Sequence, residues 1–134
     1  MNGVLSKFDF RSIVIGAFVG IGLDVFGAVI AAVVSIFAGG SSESPAFAAF
    51  VHISSVMVSS LSSIIAGFVT ARIARTHPLL NCVGTGVFGI FLSVVFLSLS
   101  ANGVGMDNVP GLFLTLVLVS IGGFAATKMK EWGR

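Results

Sequence analysis

The sequence predicts an all-α integral membrane protein, a four-helix bundle forming a single transmembrane domain over residues 1–134. Three observations predict it. Of 134 residues, 56% are hydrophobic and only 9% charged, whereas soluble domains carry about a quarter charged residues; the mean hydropathy is +1.12. Four apolar runs each reach the roughly 20 residues that a helix needs to cross about 30 Å of hydrocarbon. The seven Lys and Arg residues all lie outside those runs.

The helices are expected at about 12–38, 46–71, 79–101 and 110–127. The first follows Lys7 and Arg11 as a signal peptide would, but it continues for about 27 residues, far beyond the 7–15 of a cleavable segment. It reads as a retained helix. The second starts after Gly39-Gly40-Ser41-Ser42-Glu43-Ser44-Pro45, the third after the basic turn Arg72 to Pro78, and the fourth after Asn102 to Val109. Each connection is rich in turn formers or charge. Pro45 and Pro110 stand where a helix starts and a missing N–H costs nothing, and Pro78 separates helices two and three.

Orientation follows from the charges. Lys7 and Arg11 precede the first span, Arg72 and Arg75 fill the second connection, and Lys128, Lys130 and Arg134 follow the fourth, while the other two loops hold only Glu43 and Asp107. All basic residues fall on one side, which the positive-inside rule makes cytoplasmic, with both termini there and Trp132 as an interfacial anchor. The formal charge of +2 therefore marks membrane flanks and not a nucleic-acid-binding face.

Several chemistries are set aside. One cysteine, Cys82, forms no intrachain disulfide, and no Cys/His cluster has metal-ligand spacing. No cofactor is expected. G-x-S-x-G, H-E-x-x-H and P-loop motifs are absent. His52 with Ser55 or Ser59 is the one base–serine pairing at helical spacing, and such neighbours arise readily on a serine-rich helix. The expectation is a protein that is not an enzyme.

Lipid tails are as apolar as leucine, so helices in a bilayer associate through small residues and interhelical hydrogen bonds. On helix one, Gly16, Gly20, Asp24, Gly27 and Ala31 fall on one stripe, opposite Val14, Phe18, Val25 and Val29. Helix two carries His52, Ser55, Ser59, Ser62 and Ala66; helix three Cys82, Gly86, Gly89 and Ser93; helix four Thr115, Gly122 and Ala126. Two readings stay open: a tightly packed bundle, or a polar route through it. Serines alone do not decide, because a hydroxyl can bond the carbonyl one turn back. Gly67 and Gly123 add to the packing set through a weak repeat, Ala66 to Arg72 against Gly122 to Lys128, as two hairpins of the same orientation would give.

Asp24 is the only ionisable residue near the middle of a span, at a cost of about 2.5–3.5 kcal/mol on insertion scales. Ser59 or Ser62 at similar depth would donate to it, making these three a candidate ion or proton site. The alternative is a neutral Asp24 serving as an interhelical hydrogen-bond donor. His52 lies nearer the outer end of helix two and reads as interfacial or capping. Arg72 and Arg75, at i and i+3, are expected to share a face, and together with Lys128 and Lys130 to contact anionic lipid heads.

The stretch Ala66-Gly67-Phe68-Val69-Thr70-Ala71-Arg72-Ile73-Ala74-Arg75, with His77-Pro78-Leu79-Leu80 and Gly84, resembles a pattern in small, uncharacterised four-span bacterial inner-membrane proteins. In those, a glycine-rich helix end, an A-R-x-A turn and a P-L-L segment join helices two and three. The resemblance implies a four-helix fold in a bacterial inner membrane and carries no activity with it. Size, span count and an acidic residue on helix one also resemble small multidrug exporters, but their other features are missing and the charge asymmetry opposes dual topology. The leading expectation is a protein acting through helix packing, as a homo-oligomer or as an accessory subunit with other membrane proteins, in contact with the lipid bilayer. The alternative is a small proton- or cation-coupled transporter or channel using Asp24.

Overall fold

The computed structural model describes residues 7–37, 45–99 and 109–132. Four helices occupy them: α1 (Phe10–Phe37), α2 (Pro45–Ile73), α3 (Pro78–Leu99) and α4 (Val109–Trp132). At about 1.5 Å per residue the shortest is about 33 Å long, enough to cross the hydrocarbon. All four are long and apolar enough to do so. The chain is a multi-pass integral membrane protein.

Local chemistry sets the helix starts. Asp9 caps α1: its carboxylate accepts the Ser12 N–H at 3.4 Å, and its carbonyl accepts the Ser12 hydroxyl at 2.8 Å. Pro45 and Pro78 are the first residues of α2 and α3, and Pro110 is the second of α4. The expected boundaries shift where hydropathy and helicity part company. α4 runs past Thr127 to Trp132, because Lys128, Lys130 and Glu131 are polar yet good helix formers, and Lys128 pairs with Glu131 at 2.9 Å. α2 continues past Ala71 to Ile73. Ala38, Ser100 and Ala101, expected at helix ends, lie outside the described residues.

α2 and α3 each pack against all three other helices, whereas α1 and α4 share no contact among the described residues. The inner pair thus separates two flanking helices. α1 runs parallel to α3, with Ile13 against Gly84 near the start of each. α2 runs parallel to α4: Val56 and Gly111 border one crevice, and Ala71 and Thr127 another farther along. The two hairpins therefore share one orientation.

Full burial is confined to one half of the bundle. Buried residues are Ser12 to Ala17 on α1, Ser62 to Ala71 on α2, Asn81 to Gly86 on α3 and Val119 to Ala126 on α4, each interspersed with less buried neighbours. These segments meet at the end that carries the chain's described Lys and Arg residues. Toward the other end the side chains open outward, with Val25, Phe26, Val29, Ile53, Met57 and Phe113 all more than half exposed. Such apolar exposure suits a lipid solvent, which must be met by a backbone satisfied within each helix.

The tightest seam joins α2 to α4 reciprocally. A Cβ on Gly67 would overlap the Val119 carbonyl, and a Cβ on Gly122 would overlap the Ile64 carbonyl. Each glycine meets the carbonyl of the residue three before its counterpart, so Gly67 and Gly122 are structural equivalents, as are the buried Ala71 and Ala126 one turn on. The sequence repeat aligned Gly67 with Gly123; the packing register differs by one residue. Gly123 instead faces Cys82 of α3. The likeness stops at this seam, since α2 also packs on α3 while α1 and α4 do not meet among the described residues.

Candidate functional site

Asp24 sits where the packed half gives way to the open half. Two cavities meet at it. The first is an open cleft of about 480 Å³ between α1 and α2, lined by Asp24, Ser55, Ser59 and the small residues Gly27, Ala28 and Ala31. The second is a smaller, partly open cavity of about 90 Å³, to which all four helices contribute; its polar lining is Asp24, Ser59, Ser63, Thr85, Ser93 and Thr115. Asp24 and Ser59 therefore border both spaces.

The carboxyl is incompletely satisfied. Ser62 lies beside it, but the Ser62 hydroxyl donates to the Val58 carbonyl at 2.9 Å. Among the described residues, Asp24 Oδ1 is the one buried side-chain oxygen or nitrogen without a hydrogen-bond partner. Most other buried hydroxyls bond one turn back: Ser63 to Ser59, Thr70 to Ala66 and Thr85 to Asn81, at 2.8–3.0 Å. Of the three residues predicted to form a site, Asp24 and Ser59 border a shared opening, and Ser62, buried beside the Asp24 carboxyl, lines neither cavity. His52 is exposed on α2, away from both cavity linings.

The predicted packing glycines divide the same way. Gly16 faces Thr70, Gly20 faces Ala66 with a Cβ distance of 3.1 Å, Gly27 faces Val58, and Gly86 faces Leu116 at 3.0 Å. Gly89 has nothing within 4 Å and opens on the smaller cavity.

The basic residues do not form one cluster. Arg72 lies 5.5 Å over the Phe68 ring and Lys128 6.0 Å over Phe124. Arg72 and Arg75 do not share a helix face: α2 ends at Ile73, and the Arg75 N–H turns away to the Asp9 carboxylate at 3.3 Å. The expectation fails because the chain must leave the helix before Pro78 can begin the next. Arg75 borders a crevice with Phe8, Asp9 and Arg11, while Lys128 and Lys130 border a separate groove with His77.

Sequence reasoning missed the polar knot that closes the packed end. Asn81, fully buried, accepts the Asp9 N–H at 2.8 Å and donates to the Thr76 carbonyl at 2.6 Å and the His77 carbonyl at 3.3 Å. It ties the segment before α1 to the α2–α3 turn, where His77 holds φ at 42°. One turn deeper, the Thr70 and Thr85 hydroxyls meet at 2.9 Å between α2 and α3, and the Cys82 thiol reaches the Gly67 carbonyl at 3.3 Å. The available signals were Asp9 in capping position and a lone amide in the apolar run of α3.

Among the described residues no group of His, Cys, Asp and Glu converges as a metal-ligand set. No family model, curated protein or solved structure matches the chain.

Proposed function

We propose that this chain is a non-enzymatic protein of a bacterial inner membrane, with both termini in the cytoplasm, that acts by helix packing as a homo-oligomer or accessory subunit of a membrane assembly. One observation carries this reading: the α1 wall of the α1–α2 cleft presents Gly27, Ala28, Ala31 and Ala32 and has an unpartnered carboxyl oxygen at its edge. Small residues let another backbone come close, and a polar group on that partner would satisfy Asp24, which lipid tails cannot do. The shared end of Arg11, Arg72, Arg75, Lys128 and Lys130 supports the orientation through the positive-inside rule. The resemblance in the α2–α3 region supports the bacterial membrane.

A second reading is favoured by the hydroxyl-lined cavity to which all four helices contribute. There Asp24 would bind a proton or cation, with Ser59 linking the cavity to the cleft.

Purified wild type and Asp24→Asn separate the two. The packing reading expects a multimer, in lipid, that the variant weakens, and no proton or cation flux in liposomes from either chain. Flux that disappears in the variant while assembly persists supports transport and overturns the first reading.

A further inference from the structure

We propose that the groove between the α2–α3 turn and the end of α4 binds an anionic phospholipid. The groove has a volume of about 770 Å³, within the range of small-molecule sites. It is two-faced: Leu79, Leu80 and Phe124 give it an apolar wall, and His77, Lys128 and Lys130 give it a polar rim. Leu79 and Phe124 are about half exposed, at 47% and 55%, so the wall is open on the lipid side.

Charge complementarity selects the occupant. Among the described residues, the one carboxylate lining the groove, Glu131, is engaged by Lys128 at 2.9 Å, which leaves Lys130 without a counter-charge from them. An acyl chain on the leucine and phenylalanine wall would place a phosphate at the level of the lysines, where the helices emerge from hydrocarbon and Trp132 marks the interface. The neighbouring crevice carries the same formal balance, Arg11 and Arg75 with Asp9, but lacks the paired leucines of the groove, its apolar residues being Phe8 and Ile73.

The chain's single tryptophan, Trp132, lies one helical turn beyond Lys128 and on the same face, beside the groove. Its fluorescence is measured for the full chain in phosphatidylcholine vesicles containing either brominated phosphatidylglycerol or brominated phosphatidylcholine at equal fraction. The anionic lipid is expected to quench preferentially, and Lys128→Gln/Lys130→Gln to cut that preference roughly fivefold per lysine. Arg72→Gln/Arg75→Gln is expected to leave it unchanged. Equal quenching by the two lipids overturns the proposal. So does an equal loss in the arginine variant, which would assign the effect to the general field of that end. Relief of quenching by soluble glycerol phosphate would assign it to a headgroup site without an acyl wall and overturn it as well. The lysines are exposed, so their replacement leaves the packed half intact, and unchanged helical circular dichroism verifies that.

Discussion

Gly67 of α2 lies directly against the Val119 carbonyl of α4, in a seam with no room for a methyl group on the glycine. Gly67→Ala is therefore expected to lower stability by about 1–3 kcal/mol through overpacking. Gly122→Ala should act alike, because it meets Ile64 in the same way. Once one substitution has separated the helices, the second has less to disrupt, so the double variant should cost less than the sum. Gly89→Ala, with nothing within 4 Å, is expected to stay within about 0.5 kcal/mol of wild type. Thermal unfolding in detergent, followed by circular dichroism, tests all four.

Asn81→Leu keeps the branched shape, with two bulkier methyl groups, but strands the Asp9 N–H and the Thr76 carbonyl. At about 1–3 kcal/mol for each buried group left unpaired, it should be the most destabilising polar-to-apolar change in the packed half. Thr70→Val should cost less, about 0.6–1.7 kcal/mol, as interhelical hydrogen bonds in membranes do. Equal unfolding midpoints for the two variants would refute the ranking.

His77 holds a left-handed backbone conformation that costs a residue with a Cβ about 1–2 kcal/mol. Glycine adopts it freely. His77→Gly is expected to raise the unfolding midpoint while weakening the anionic-lipid preference, since the imidazole lines the groove. A lowered midpoint would show that the side chain, and not the turn geometry, is what the position requires.

Cys82 is fully buried between Gly67 and Gly123. A membrane-permeant maleimide should label it slowly in the native chain, and markedly faster in Gly67→Ala, where the seam is pushed apart. Rapid labelling of wild type would contradict the packing described for α3 and α4.

Much of the fold was readable because the bilayer imposes length, and because lysine and arginine mark where helices leave it. Pro45, Pro78 and Pro110 fixed three starts to within a residue. Hydropathy failed at α4's end, since Lys128 and Glu131 change solvent without breaking the helix. Asp24 was legible as an anomaly: one carboxyl in a long apolar run has few explanations. Asn81 was not, because an amide carries no charge to flag it, and its partners Asp9 and Thr76 are distant in sequence or outside the helix. Periodicity placed Gly16, Gly20 and Gly27 on one face, but it does not reveal that Gly89 would open on a cavity. Which small residues touch depends on the register between helices, and the one-residue offset between the repeat and the Gly67–Gly122 pairing illustrates that limit.

The reciprocal α2–α4 seam also bears on biogenesis. Helices enter a membrane in order of synthesis, so α2 must wait through the whole of α3 before the surface that completes it arrives. Until then Ile64, Gly67 and Ala71 present a bare ridge to lipid, a state that insertion chaperones and membrane proteases are suited to notice. Chains stalled before α4 should accordingly be cleared rapidly, and supplying α4 as a separate segment should rescue them.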